Sequence, residues 1–109
     1  MSFQELITLL KQELEHKKLE FLTIPTLGGR SKITFSINEE NIKITTSNGN
    51  SYTVDPKFFE AVWNHFLRLE DDKKFEKSSY DDKNWPAGEG NPNMIFSPYL
   101  PALFKYFNL

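Results

Sequence analysis

Apolar and polar positions repeat with two different periods along this chain, and the stretch DPKFFEAVWNHFLRL, Asp55 to Leu69, carries the clearest of them. At about 100° per residue, Phe58, Phe59, Val62, Trp63, Phe66, Leu67 and Leu69 share one half of a helical circumference, and Lys57, Glu60, Ala61, Asn64, His65 and Arg68 take the other. Asp55 is suited to cap the free N–H groups of the first turn, and Pro56 falls where a missing N–H costs nothing. Glu70 would fall in the middle of the apolar face and opens a charged run ending at Lys74, so the helix stops packing near Leu69.

A second helix is predicted at the start of the chain. Ser2 and Glu5 form a capping box, and Phe3, Ile7, Leu10 and Leu14 recur at spacings of four and three, flanked by Leu6 and Leu9. The half from Lys11 to Glu20 is heavily charged, with Glu13 and Lys17 in a favourable i,i+4 relation. Only about two heptads are present, too few for a coiled coil. The pattern predicts an outer helix packed on its own domain, with a homodimer through this helix as the alternative.

Between the helices the period is two. Phe21 to Thr26 is β-prone, but Pro25 removes a donor, which predicts an edge strand or an extended lead-in. Leu27 to Lys32 is a turn. Ile33, Phe35 and Ile37 then alternate with Thr34 and Ser36, and Ile42 and Ile44 alternate with Lys43 and Thr45, giving two half-buried antiparallel strands. A two-residue loop at Asn48-Gly49 would set Ile44 opposite Thr53 and split the apolar face. A three-residue loop, Ser47-Asn48-Gly49, sets Ile44 opposite Tyr52 and Ile42 opposite Val54, with Gly49 left-handed in a bulge. The second register keeps Ile33, Phe35, Ile37, Ile42, Ile44, Tyr52 and Val54 on one face, onto which the central helix can fold.

From Lys73 to Pro98 no period is sustained, although Tyr80, Trp85, Met94, Ile95 and Phe96 lie there; a loop this long inside a compact domain is unusual unless it is functional or packs by its own side chains. Pro101 to Leu109 is a short helix, apolar nearly all round. The fold class is therefore α+β, one domain over residues 1–109: an N-terminal helix, a three-stranded antiparallel meander with a possible fourth edge strand, the central helix on one sheet face, an aromatic-rich loop and a short C-terminal helix.

Composition narrows the chemistry. At 109 residues the chain can remove about 60 to 70% of its unfolded surface from water. It has no cysteine, which excludes disulfides, thiolate metal sites and cysteine nucleophiles. Gln4, Glu5 and Lys11 interrupt the N-terminal apolar residues, so no signal peptide is visible, and no apolar run approaches the roughly 18 residues of a membrane span. A cytoplasmic protein is the expectation. Lysine far outnumbers arginine and Asn, Ile and Phe are frequent, which points to a bacterial source. A formal charge of −2 offers no global attraction to phosphate backbones.

Candidate chemistry is sparse. His16 and His65 have no partner ligand at i+4, and His65 reads as a boundary residue of the central helix. Asp71-x-Lys73 and Asp81-x-Lys83 match half of a nuclease carboxylate-lysine motif but lie in charged loop sequence, and Asp71, Asp72, Asp81 and Asp82 lack the ligand spacing and central glycine of an EF-hand loop. No nucleophile elbow, dinucleotide fingerprint or zinc spacing occurs. Gly28-Gly29-Arg30-Ser31-Lys32 could offer N–H groups and two cations to a phosphate, but it lacks P-loop spacing and leads into a strand. The expectation is a non-catalytic protein-interaction or regulatory module without a cofactor. Its partner would be another protein, contacted by Tyr80, Trp85 and Tyr99 in the aromatic loop. A nucleic-acid-associated module using Arg30, Lys32 and Lys43 on the solvent face of the sheet is the alternative, although that face has no aromatic stacking platform.

Overall fold

A computed structural model of the chain describes residues 1–81, 84, 85 and 99–109. The elements run α1 (Phe3–Lys17), β1 (Leu22–Pro25), β2 (Lys32–Asn38), β3 (Asn41–Thr46), β4 (Ser51–Thr53), α2 (Pro56–Arg68), a 3₁₀ turn (Lys77–Tyr80) and α3 (Tyr99–Tyr106). The fold is α+β: among the described residues three α-helices lie on one face of a four-stranded antiparallel sheet whose strand order is the chain order. Met94, Ile95 and Phe96 of the expected aromatic loop lie outside the described residues.

Helix α1 begins with the capping box that its sequence encodes: the Glu5 N–H donates to Ser2 Oγ at 3.1 Å and the Ser2 N–H to Glu5 Oε1 at 3.2 Å. It ends in a Schellman motif, where Lys18 takes φ 55° while the Leu19 N–H reaches the Leu14 carbonyl at 2.9 Å. This left-handed position usually falls to glycine, because Cβ crowds the backbone there. Leu6, Ile7, Leu10 and Leu14 are buried in the chain's own core. The charged half points outward, with Lys11 on Glu40 at 3.1 Å, Lys17 on Glu13 at 3.5 Å and Lys17 on the Tyr106 hydroxyl at 2.7 Å.

The edge strand forms: Leu22, Thr23, Ile24 and Pro25 pair with Phe35, Thr34, Ile33 and Lys32. Its proline is tolerated because β1 has a neighbour on one side only. Strands β2 and β3 meet across a two-residue turn, Glu39-Glu40, in which Glu39 takes φ 59°. The β3–β4 loop has the three-residue length: Ile44 faces Tyr52, the Val54 N–H donates to the Ile42 carbonyl at 2.8 Å, and Gly49 sits at φ 87°. Alternation then fixes the faces. Leu22, Ile24, Ile33, Phe35, Ile42 and Ile44 are buried under the helices. The outer face carries Thr23, Thr34, Ser36, Lys43, Thr45, Ser51 and Thr53, with hydroxyl pairs at Thr23–Thr34 (2.9 Å) and Thr45–Ser51 (3.0 Å).

Asp55 caps α2 as expected, accepting from the Lys57 N–H at 2.7 Å with Pro56 in the first helical position. The closest backbone approaches to the sheet are those of α1 over β2 and α3 over β1, while α2 lies against both helices. Phe59, Val62 and Phe66 nevertheless enter the same core as Phe35, Ile42 and Ile44. Rings of α2 and α3 lock together: Phe104 meets Trp63 and Phe66 edge-on at 5.0 Å each, and Phe3 closes the cluster 5.5 Å from Phe59.

Two positions on α2 depart from the sequence expectation. Leu67, assigned to the apolar face, is 54% exposed, and His65, assigned to the boundary, is 3% exposed. The buried arc is rotated toward His65 because the chain beyond α2 turns back and covers that side with Ser79, Tyr80 and Trp85. The opposite side, where Leu67 lies, is left largely open by the described residues. Helix α3 starts at Tyr99, two residues before the expected start, and buries Leu100, Pro101, Ala102, Leu103 and Phe104.

Candidate functional site

The three aromatic candidates separate into two groups. Tyr80 is 1% exposed and Trp85 8%, so both rings are interior. The Tyr80 hydroxyl donates to the Lys74 carbonyl at 2.6 Å, and burial raises its pKa above the ordinary phenol value. His65 Nε2–H donates to the Ser79 carbonyl at 2.7 Å, which fixes the ring proton on that nitrogen. Ser79 Oγ donates to the Lys73 carbonyl at 2.7 Å, and the Trp85 ring stacks on His65 with centroids 4.2 Å apart. These bonds staple the polar segment after α2 onto the flank of that helix. His65 Nδ1 and Trp85 Nε1 are both buried without a hydrogen-bond partner among the described residues.

Tyr99 is different. Half-buried at the first position of α3, it lines a groove of about 330 Å³ together with Thr26, Leu27, Gly28, Arg30, Ser31 and Lys77. One wall is the connection between β1 and β2. The Thr26 N–H donates to the Ser31 carbonyl at 3.0 Å and the Gly29 N–H to the Thr26 carbonyl at 2.9 Å, while Gly29 takes φ 73°. That positive φ is why glycine is used there. Gly28 is exposed, and a Cβ added there would meet nothing within 4 Å among the described residues. The other wall is Lys77, at the start of the 3₁₀ turn.

The cationic candidates also divide. Lys32 and Lys43 lie on the outer sheet face, but Lys43 pairs with Ser36, four residues along β2 from Lys32. At about 3.3 Å per residue that offset is roughly 13 Å. The two lysines therefore stand in separate rows of hydroxyls. Arg30 belongs to the groove, where its cationic companion is Lys77. Neither Arg30 nor Lys77 forms an ion pair among the described residues, and no carboxylate is among the described residues lining the groove. Lys77 was not legible as a site residue from sequence, since it follows Lys73 and Lys74 in the same polar run. Those two lysines are engaged locally, Lys73 with Glu76 at 3.5 Å and Lys74 with Asp71 at 3.6 Å and over the Phe66 ring at 4.9 Å.

Among the described residues no three acidic or histidine side chains come together as a metal site, and no helix is long and apolar enough to cross a membrane. Asp82 and Lys83 lie outside the described residues. No protein-family model matches the chain, and no curated protein or solved structure matches it significantly.

Proposed function

We propose that this domain is a non-catalytic protein-interaction module whose contact surface is the groove between the β1–β2 turn and the Lys77–Tyr99 wall. One observation carries the reading. While Phe35, Phe59, Phe66, Tyr80 and Phe104 are consumed by the core, Tyr99 and Arg30 meet in one open groove. Tyr and Arg are enriched at binding hot spots, because each combines a large contact area with directional hydrogen bonding. The test is recovery of a partner from source-cell lysate by the tagged full-length chain, with and without nuclease, beside Arg30→Ala and Tyr99→Ala. One protein recovered regardless of nuclease, and lost with either variant, supports the reading. Equal recovery by all three chains would refute the groove as the contact surface.

A second reading is favoured by the outer sheet face. Strands β1 to β4 place Thr23, Thr34, Ser36, Lys43, Thr45, Ser51 and Thr53 there, with Lys32 at the margin and no acidic residue in any strand. Such a surface suits a nucleic-acid backbone, whose phosphates accept from hydroxyls and lysines. Recovery that disappears on nuclease treatment and in Lys32→Gln/Lys43→Gln would favour it.

A further inference from the structure

We propose that Arg30 and Lys77 form the seat of a phosphate monoester, which makes the groove a receptor for a phosphorylated ligand; the inference rests on the groove being the contact surface. A phosphate monoester near neutral pH carries about −1.5 to −2 charges and three strongly accepting oxygens. The groove is lined by two cations, from the β1–β2 turn and from the 3₁₀ turn, and by no acid among its described residues. A carboxylate would leave one of those cations unbalanced. A phosphodiester carries a single charge and belongs to a chain that needs a continuing track of cations, whereas the next one along, Lys32, belongs to the outer face of the sheet.

Donor chemistry agrees with the charge count. The Arg30 guanidinium is a planar fork that can hold two phosphate oxygens at once, and the Lys77 ammonium acts as a point charge. The Thr26 hydroxyl is directed at Ser31, lying 3.3 Å from its carbonyl oxygen and 3.4 Å from Oγ. When Thr26 gives its proton to that carbonyl, the Ser31 hydroxyl proton is available to the groove. Backbone bonds inside the turn already set its shape, so little ordering is needed on binding. The groove is larger than a phosphate group, and Leu27 with the Tyr99 ring offers an apolar wall to whatever carries the phosphate.

The experiment is an amide NMR titration of the full chain with three probes: inorganic phosphate, a phosphoserine peptide and a nucleoside monophosphate. The expected result is saturable shifts at Thr26 to Lys32 and Lys77, with affinity at least about tenfold lower in Arg30→Gln and in Lys77→Gln, each tenfold step being about 1.4 kcal/mol. Lys43→Gln should bind as wild type. Both groove side chains are exposed, so unchanged melting of the variants will show that folding is intact. Affinity should fall as pH drops through roughly 6, where the phosphate gains a proton. Tighter binding of the peptide or of the nucleotide tells whether the phosphate arrives on a protein or on a small molecule. No saturable shift with any probe, or shifts undiminished in both glutamine variants, overturns the proposal. If that happens while Arg30→Ala still loses its lysate partner, the interaction reading survives without the phosphate. If phosphate binds but no partner depends on the groove, the phosphate seat stands and the interaction reading falls.

Discussion

Replacing Trp85 by alanine separates a structural ring from a binding ring. A buried Trp removes roughly 150 to 250 Å² from water, which at about 25 cal/mol per Å² is an upper bound of about 4 to 6 kcal/mol. The stack on His65, with centroids 4.2 Å apart, adds a further term of about 0.5 to 1.5 kcal/mol. Against these, Trp85 Nε1 is buried without a partner among the described residues, and deleting an unsatisfied donor returns about 1 to 3 kcal/mol. Partial collapse of the site lowers the cost again. The net expectation is a loss of about 3 kcal/mol, which for a domain of this size lowers the melting midpoint by at least roughly 10 °C. Trp85→Phe keeps a ring on His65 and removes the orphaned N–H, so it should cost less than about 1 kcal/mol. Calorimetric melts and urea titrations of the three chains measure both numbers. A Trp85→Ala midpoint within a few degrees of wild type would refute the staple, and would return that residue to the list of partner contacts.

Four further outcomes follow from local geometry. Gly49 holds φ 87°, so Gly49→Val should destabilise by more than about 1 kcal/mol in a urea titration and Asn48→Ala by less; equal losses would contradict the three-residue turn. Lys18 takes φ 55° at the end of α1, so Lys18→Gly should raise stability by about 0.5 to 1 kcal/mol, and a loss would show that the lysine side chain outweighs its backbone strain. Phe66→Ala removes a ring that contacts Trp63, Phe75 and Phe104 and should cost about 3 to 5 kcal/mol by chemical denaturation. Tyr80 has a raised pKa in the folded chain, so the folded state keeps a proton that the unfolded state gives up. Its contribution is therefore complete below the ordinary phenol value of about 10 and is lost as pH rises beyond it. Wild type should lose stability more steeply than Tyr80→Phe above that pH, and parallel profiles would contradict the assignment.

Features that depend on a backbone preference within a few residues were readable from the chain. Ser2 with Glu5 and Asp55 with Pro56 specify helix starts by satisfying or omitting particular N–H groups, and keeping Ile42 and Ile44 on one face left the three-residue loop at Gly49 as the consistent register. The helical wheel puts Leu67 inside and His65 at the boundary, whereas Leu67 is exposed and His65 buried, because the wheel registers the apolar pattern of α2 but not what packs against each side. The cover over His65 comes from Ser79, Tyr80 and Trp85, in polar sequence with no period of its own. Arg30 and Tyr99 could each be singled out by residue type and surroundings. Their meeting could not, since it depends on how the chain after α2 returns to the β1–β2 turn, and Lys77 has no local mark that sets it apart from Lys73 or Lys74.

The strand order, identical to the chain order, also bears on the sequence of folding events. Every strand pair is a hairpin closed by a short loop, and contacts of low sequence separation form early because little chain entropy is lost in closing them. Helix α3 is the opposite case, since it lies against β1 and joins the ends of the chain. Its docking on β1 closes a loop comprising most of the protein, and that contact is gained only once the sheet exists, although its rings also meet those of α2. The meander with α1 and α2 is thus the expected nucleus, and α3 the part that arrives after the barrier. Stopped-flow kinetics of Leu103→Ala should then show unfolding accelerated and refolding almost unchanged, the behaviour of a position unformed in the transition state. A helix that docks last affects how long the native state persists more than how quickly that state is reached.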